Sequence, residues 1–223
     1  MGKLIVFEGT DGSGKSTQFS LLTKRLQAMQ VDFRTMVFPQ YSEPSSALIR
    51  MYLGGEFGTR PSDVNAYAAS TFYAVDRYAS YRKVWREYYQ NGGLMLSDRY
   101  TTSNAVHQAS KEPDETREEF FRWLYDFEYH HMELPEPDIV IYLDVPTELT
   151  GQMLRRREHA LLHLTVIICK GSLHGFPNFT EMLGEFRLET HAYSHEILPY
   201  QHLSVCTCTG SYSDCYHVHL GGD

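Results

Sequence analysis

Apolar and polar residues follow one another in a pattern that predicts strands alternating with helices over roughly the first two thirds of the chain. Lys3 to Phe7 is a short apolar run rich in strand formers. A glycine-rich segment comes next, and beyond it apolar residues recur at helical spacing at positions 19, 22, 26 and 29. The N-terminal segment is therefore predicted to form a strand, a glycine loop and a helix.

Three more strands and three more helices are predicted by the same patterns. The strands cover Asp32 to Phe38, Leu94 to Leu96 and Asp138 to Val145, and the helices cover Ser45 to Leu53, Val64 to Gln90 and Thr116 to Met132. The longest helix carries an apolar stripe made of Ala74, Tyr78, Tyr81, Trp85 and Tyr88. Four buried strands separated by helices predict an α/β fold, in which a parallel sheet has helices on both faces.

Length and charge narrow the choice of function. The chain has 223 residues and a net charge of -8, which fits one domain over residues 1–223 and argues against nucleic acid as a partner. Its apolar runs are too short to cross a membrane and no leader pattern opens it, so we expect a cytoplasmic location.

The last third differs in composition from the rest. Residues 158–223 hold only 2 of the 20 Lys and Arg, yet they contain all four cysteines and eight of the eleven histidines. No sustained helical period runs through this segment. We therefore treat 158–223 as an atypical C-terminal segment of the same domain.

The segment GTDGSGKS, from Gly9 to Ser16, matches the phosphate-loop pattern G-x-x-x-x-G-K-[ST]. Chance would produce this match in under about 1% of chains of this length. Its position between a predicted strand and a predicted helix suits the mechanism, because glycines let backbone N–H groups approach phosphate oxygens and the helix adds a positive dipole. We expect Lys15 to reach the β- and γ-phosphates and Ser16 to bind Mg2+.

A phosphate loop alone is compatible with a GTPase, an ATPase motor or a small-molecule kinase. The sequence lacks the N-K-x-D string expected of a guanine-binding GTPase. Aromatic and basic side chains elsewhere in the chain favour a second, small phosphorylated substrate, and hence a kinase.

Tyr73 and Arg77 are the first candidates for the acceptor site. They stand four residues apart on the long helix, so one ligand could touch both, the ring by stacking on a base and the guanidinium by binding a phosphate. The alternative is that Tyr73 is a core residue and Arg77 pairs with a surface carboxylate, and for this pair alone that alternative is favoured.

Asp98 and Arg99 end a predicted buried strand, at the edge where ligands of parallel sheets collect. Asp98 could hold Mg2+ or its waters, and Arg99 could bridge the donor and acceptor phosphates. Asn104 and Gln108 follow with amide groups able to hydrogen-bond a base, although polar residues are also ordinary at a helix start.

Four segments together resemble the thymidylate kinase (dTMP kinase) family. They are VFEGTDGSGKST from Val6 to Thr17, AASTFYAVDRYASY from Ala68 to Tyr81, SDRYTTSNAVHQ from Ser97 to Gln108 and PEPDIVIYLDVP from Pro135 to Pro146. The resemblance covers residues 1 to about 157. It implies a P-loop nucleoside monophosphate kinase fold with a five-stranded parallel sheet, a homodimer, and transfer of the ATP γ-phosphate to dTMP with Mg2+.

The resemblance also implies roles for individual residues. ATP is bound by Gly9, Thr10, Asp11, Gly12, Ser13, Gly14, Lys15, Ser16 and Thr17, with Arg155 and Arg156 from a lid; dTMP is bound by Asp11, Tyr73, Arg77, Arg99, Asn104 and Gln108. Phe72 replaces Tyr73 if the register differs by one. Lys15, Arg99, Asp98 and Asp11 are the catalytic candidates, and Ser16 and Asp98 are the metal ligands.

After Arg157 the sequence departs from the family, which continues with a lid, a long helix, a fifth strand and a last helix. A zinc site from Cys206, Cys208, Cys215 and His217 has no established spacing, and our preferred interpretation is a divergent or out-of-frame continuation. Three functions remain open: an active dTMP kinase, a nucleotide-binding protein with weak or lost turnover, and a kinase of another nucleoside monophosphate.

Overall fold

The computed structural model describes residues 1–143 in full, and the backbone alone of Asp144 and of three later strands. Its sheet begins with β1 (Lys3–Gly9), β2 (Phe33–Val37), β3 (Leu94–Asp98) and β4 (Ile139–Asp144). These strands lie in the order β2-β3-β1-β4 and all pair in parallel. All four strand predictions are confirmed, with boundaries that differ by a few residues.

Helices connect the parallel strands. They are α1 (Lys15–Ala28), α2 (Ala47–Leu53), α3 (Ala66–Ser80), α4 (Arg86–Gln90), α5 (Thr101–Ala109) and α6 (Asp114–Tyr125). Short 3-10 turns cover Pro44–Ser46 and Pro61–Asp63. Two π-helical turns extend longer helices: Tyr81–Trp85 joins α3 to α4, and Asp126–His131 continues α6.

The core lies on both faces of the sheet. Ile5 and Phe7 of β1 pack on one face with Leu22 and Leu26 of α1. Their neighbours Leu4 and Val6 pack on the other face with Tyr81, Trp85 and Tyr89. Because successive strand residues point to opposite faces, this division confirms a sheet covered by helices on both sides.

The long helix departs from its predicted stripe in one respect. Ala74, Tyr81 and Trp85 are buried as expected, but Tyr78 is 39% exposed. The buried face is instead centred nearer Asp76 and Arg77, which are both almost fully buried. Polar side chains can occupy this face because they find buried hydrogen-bond partners, and hydropathy alone does not reveal such partners.

The sheet extends beyond β4. Three further strands follow, β5 (His163–Cys169), β6 (Leu203–Cys208) and β7 (Cys215–His219), and each lies next to its predecessor. β5 runs antiparallel to β4, and β7 runs antiparallel to β6. The resemblance implies a fifth parallel strand, and this is wrong for the strand next to β4, which is antiparallel.

The zinc candidates of the sequence lie in these added strands. Backbone register places Cys206 opposite His217 and Cys208 opposite Cys215. That residues 158–223 belong to the same domain as the rest of the chain stays a prediction.

Candidate functional site

The phosphate loop joins β1 to α1 and requires glycine at its start and end. Gly9 has φ of 145°, and a Cβ there would lie 2.8 Å from the Leu143 carbonyl oxygen. Gly14 precedes α1 with φ of 81° and provides no side-chain cap. The first N–H groups of α1 therefore have no capping side chain from this position, which suits a phosphate ligand.

Lys15 is folded back onto its own loop. Its Nζ donates to the carbonyl oxygens of Gly9 at 2.8 Å and Thr10 at 2.9 Å. Burial lowers the pKa of Lys15, the charge of Arg99 lowers it further, and Asp11 opposes the change. The ammonium is thus held at the mouth of the loop, next to both Asp11 and Arg99.

The end of β3 meets the phosphate loop at one edge of the sheet. Asp98 pairs in register with Phe7 of β1. Arg99 has φ of 67°, in the left-handed region, and its N–H donates to the Phe7 carbonyl at 2.9 Å. Such a strained non-glycine conformation persists only where the surroundings hold it, and it is common at functional sites.

The Arg99 guanidinium bridges the two halves of this edge. It forms an ion pair with Asp11 of the phosphate loop, and its Nη1 donates to the Ser103 hydroxyl at 3.0 Å. Beside it, Asp98 Oδ1 is buried without a hydrogen-bond partner among the described residues. Desolvation raises the pKa of Asp98, against the attraction of Lys15 and Arg99.

Glu8 ties this edge to α5. Its buried carboxylate accepts hydrogen bonds from the backbone N–H groups of Tyr100 at 3.0 Å and Ser103 at 2.9 Å. The Ser103 hydroxyl donates to the other carboxylate oxygen at 2.5 Å. Because Tyr100 gives α5 no side-chain cap, Glu8 caps this helix from a neighbouring strand.

α5 carries two buried amides one turn apart. Asn104 and Gln108 are each 3% exposed, and the carbonyl oxygens Oδ1 and Oε1 of their side chains have no partner within the part of the chain that the structure describes. Buried acceptors without donors indicate a place where a ligand or water donates. Their predicted role at a base or sugar stays a prediction.

Arg77 is 2% exposed and forms an internal ion pair. Its Nε and Nη2 donate to the Glu128 carboxylate at 2.7 and 2.5 Å. Arg77 therefore pairs with a carboxylate, as the alternative interpretation of the sequence held, but the partner is buried and does not lie at the surface. A phosphate contact, which the resemblance implies, would fall to Nη1. That role stays a prediction.

Tyr73 and Phe72 lie in an aromatic group with Tyr52. The centroid of Tyr52 is 6.1 Å from that of Phe72 and 6.5 Å from that of Tyr73. Burial raises the pKa of Tyr73 to about 12, so its phenol is neutral at physiological pH. Either ring remains a candidate for stacking on a base.

The donor set fits magnesium bound between protein and nucleotide. Ser16 is exposed at the start of α1, and Asp98 supplies an orphaned carboxylate oxygen. The described residues contain no cluster of three or more His, Cys, Asp or Glu that would bind a metal unaided. Mg2+ needs no such cluster where substrate phosphates and waters complete its shell.

Two predicted site residues, Arg155 and Arg156, lie outside the described residues.

Two other residues near the site, Glu128 and His107, were not identified from the sequence. Glu128 follows Phe120 and Leu124 at four-residue intervals on the buried face of its helix, so an acid on an apolar face was the available signal. The pKa of His107 is lowered by desolvation and then by the charge of Arg99, which marks its proximity to the site.

A phosphate loop facing a second charged motif across the edge of a parallel sheet defines a P-loop kinase. The family model for thymidylate kinase matches residues 7–187, and so continues beyond Arg157. The chain belongs to the thymidylate kinase family.

Individual relatives agree with this assignment. A thymidylate kinase from Mycobacterium tuberculosis is 32% identical over 155 residues, 69% of this chain and 71% of the relative. A probable thymidylate kinase from Pyrobaculum aerophilum is 28% identical over 153 residues, 69% and 70% of the two chains.

A solved structure of thymidylate kinase from Candida albicans shares the fold. Its TM-score is 0.52 at 24% identity, over 68% of this chain and 66% of that one.

Among the residues that the structure describes, no helix is long and apolar enough to cross a membrane.

Proposed function

We propose that this protein transfers the γ-phosphate of ATP to dTMP, producing dTDP and ADP. The observation that carries the proposal is the ion pair between Arg99 and Asp11, because it brings the end of β3 against the phosphate loop. A donor phosphate on the loop and an acceptor phosphate near Arg99 would then lie within reach of one guanidinium.

The chain's own residues align the two phosphates and neutralise charge. The N–H groups at the start of α1 bind the donor phosphates, and Lys15 turns from the carbonyls of Gly9 and Thr10 to the β- and γ-phosphates. Arg99 bridges donor and acceptor oxygens. No general base is needed, since the acceptor phosphate is already an anion and catalysis depends on positioning and electrostatics.

Magnesium would be held by Ser16 and, directly or through water, by Asp98. When bound, it neutralises charge on the phosphate oxygens. On the protein side, Asp98 is placed by the pairing of β3 with β1, which keeps its carboxylate next to the phosphate loop. Arg155 and Arg156 are proposed to close over ATP.

Thymine would bind between the aromatic group and α5. Tyr73, or else Phe72, would stack on the base, while Asn104 and Gln108 present buried carbonyl oxygens with no donor. Asp11 would lie near the sugar, and the phenol of Tyr73 adds no charge because its pKa is about 12.

A coupled assay of ADP formation tests the activity. Purified protein with Mg-ATP is given dTMP, dUMP, dCMP, AMP or GMP in turn. We expect turnover with dTMP well above the others. Binding of ATP without turnover of any acceptor would refute the proposal in favour of a nucleotide-binding protein, and preference for another acceptor would indicate a different monophosphate kinase.

We also infer a cytoplasmic homodimer. On the long helix, Val75, Tyr78 and Val84 are large apolar side chains left 39% exposed or more, and pairing with a second copy would cover them. Light scattering on the purified chain tests this. A monomer at micromolar concentration would contradict it.

A further inference from the structure

Glu128 is a fully buried carboxylate that contacts Arg77 of α3 and Asn104 of α5, two of the residues proposed to bind dTMP. It lies on the π-helical turn Asp126–His131, has 0% exposure and accepts hydrogen bonds from three side chains. Arg77 donates two of them, Thr101 donates one at 2.7 Å and Asn104 donates one at 3.2 Å. A buried carboxylate with this many donors fixes the orientation of each of them.

The orientation of the Asn104 amide follows from its partners. Its Nδ2 lies 3.2 Å from Glu128 Oε1 and 3.2 Å from the Ser70 carbonyl oxygen. Both partners accept: Ser70 presents a backbone carbonyl oxygen, and each carboxylate oxygen of Glu128 also accepts a hydrogen bond from the Arg77 guanidinium. The amino group must therefore face inward, since the flipped amide would place Oδ1 against two oxygens.

This orientation leaves the carbonyl of Asn104 for a ligand. Oδ1 is buried and has no partner within the described part of the chain, so a ligand that donates there removes an unfavourable state. Thymine and uracil have an N3–H donor. Cytosine has an unprotonated N3, which is an acceptor. Two acceptors, N3 and Oδ1, would then face each other and repel.

We propose that Glu128 is a positioning residue that holds the Asn104 carbonyl toward the ligand and thereby selects pyrimidines with an N3–H donor over cytosine. The inference rests on the proposed function, in that Asn104 meets the base of the acceptor. Glu128 acts through Asn104 and touches no substrate. A carboxylate is required at this position because each of its oxygens accepts a hydrogen bond from a guanidinium nitrogen of Arg77. A glutamine would place its NH2 group, a donor, against one of these donors.

The test removes the carboxylate without stranding a buried charge. In the double variant Arg77→Met/Glu128→Leu both members of the pair are replaced by apolar side chains of similar size, a change that folded proteins often tolerate. Calorimetry without ATP measures the Kd of dTMP and of dCMP. The phosphate and sugar are common to both ligands, so the ratio of the two Kd values reports on the base.

We expect the wild-type chain to prefer dTMP and the double variant to lose about tenfold of that preference. Thr101→Val is the matched control, because it removes a hydrogen bond to the opposite oxygen, Oε2. It should lower the unfolding temperature while leaving the ratio within about twofold. Arg77→Met alone shows how much of the change belongs to Arg77.

Several outcomes would overturn the inference: an unchanged ratio in the double variant, an equal loss in Thr101→Val or Arg77→Met, or no preference in the wild type. If the double variant does not fold, hydrogen exchange of the Asn104 side chain in the wild type decides. Slow exchange of both Nδ2 protons supports the inward orientation, and exchange as fast as in a free amide overturns it.

The binding measurement tests this inference and the turnover measurement tests the proposed function, so either proposal can be contradicted without the other. A chain that binds dTMP selectively and loses that selectivity in the double variant, but turns over no acceptor, keeps this inference and loses the proposed function. A chain that phosphorylates dTMP while the double variant keeps the wild-type ratio loses only this inference.

Discussion

Replacing Glu8 should reveal how strongly the start of α5 depends on a single carboxylate. In Glu8→Ala the backbone N–H groups of Tyr100 and Ser103 lose their acceptor. A buried donor left without a partner costs about 1 to 3 kcal/mol. Two such donors predict a loss of about 4 kcal/mol, which is a large fraction of the roughly 5 to 15 kcal/mol that stabilises a typical domain.

Glu8→Gln is the matched control for this loss. Its carbonyl oxygen can accept both N–H groups, while its amino group can donate to the second lone pair of the Ser103 hydroxyl, which already accepts from Arg99. Urea unfolding followed by circular dichroism gives both free energies, and thermal unfolding gives the midpoint temperatures. We expect Glu8→Ala to unfold about 8 to 16 °C below the wild type and Glu8→Gln to show no comparable loss. A loss below about 1 kcal/mol in Glu8→Ala would refute the capping role.

The charge of Glu8 adds a dependence on pH. Desolvation raises the pKa of Glu8 above its ordinary value of 4.5, against the hydrogen bonds and Arg99, which lower it. The folded chain therefore holds this proton more tightly than the unfolded chain. The stabilising contribution is fully present below the ordinary pKa and is lost as pH rises through the raised one.

Glutamine cannot ionise, so Glu8→Gln should gain stability relative to the wild type as pH rises from about 4 to about 8. Urea titrations of both proteins at several pH values measure this difference. A difference that is flat, or that changes in the opposite direction, would show that hydrogen bonding to the carboxylate outweighs its desolvation.

Three further substitutions test the site, and limited proteolysis tests the last third of the chain. Lys15→Ala should lower kcat by about 10²-fold or more at nearly unchanged stability, because the charge of Lys15 acts on the phosphates. The coupled assay measures kcat, and thermal unfolding measures the stability. Arg77→Ala should cost about 3 to 5 kcal/mol in unfolding free energy, because it strands a buried carboxylate, whereas Arg99→Ala should mainly lower kcat. Limited proteolysis should spare His163–Cys169, because β5 pairs with β4.

Each of these expectations has a contrary result. Wild-type turnover in Lys15→Ala would refute the assignment of the phosphate loop. A stable Arg77→Ala variant with only a raised KM for dTMP would show that Arg77 serves the ligand more than the fold. Rapid cleavage just after Arg157 would favour the sequence-based interpretation of the tail as a divergent continuation.

Local chemistry made part of the site predictable from the sequence. The phosphate loop is one continuous segment, so its glycines, Lys15 and the start of α1 follow from spacing alone. Asp98 and Arg99 could be placed opposite it because the carboxyl ends of parallel strands meet at one edge of a sheet. The register of Phe7 with Asp98 confirms that placement.

The last third of the chain shows where pattern stops being informative. Its lack of helical period is compatible with strands, but pairing partners cannot be read from it. Strand direction depends on which backbone groups meet, and β5 meets β4 in an antiparallel register that a comparison with an all-parallel sheet does not predict.

Only the tertiary structure decided how the charged residues are used. Glu8 caps a helix that begins more than ninety residues later. Glu128 forms an ion pair with the guanidinium of Arg77, which lies fifty-one residues earlier in the chain. A sequence shows that these groups are charged, whereas their partners depend on how α3, α5 and α6 pack. The physical reason is that a charge enters a core only with partners supplied by distant segments, and the approach of those segments is a property of the folded chain.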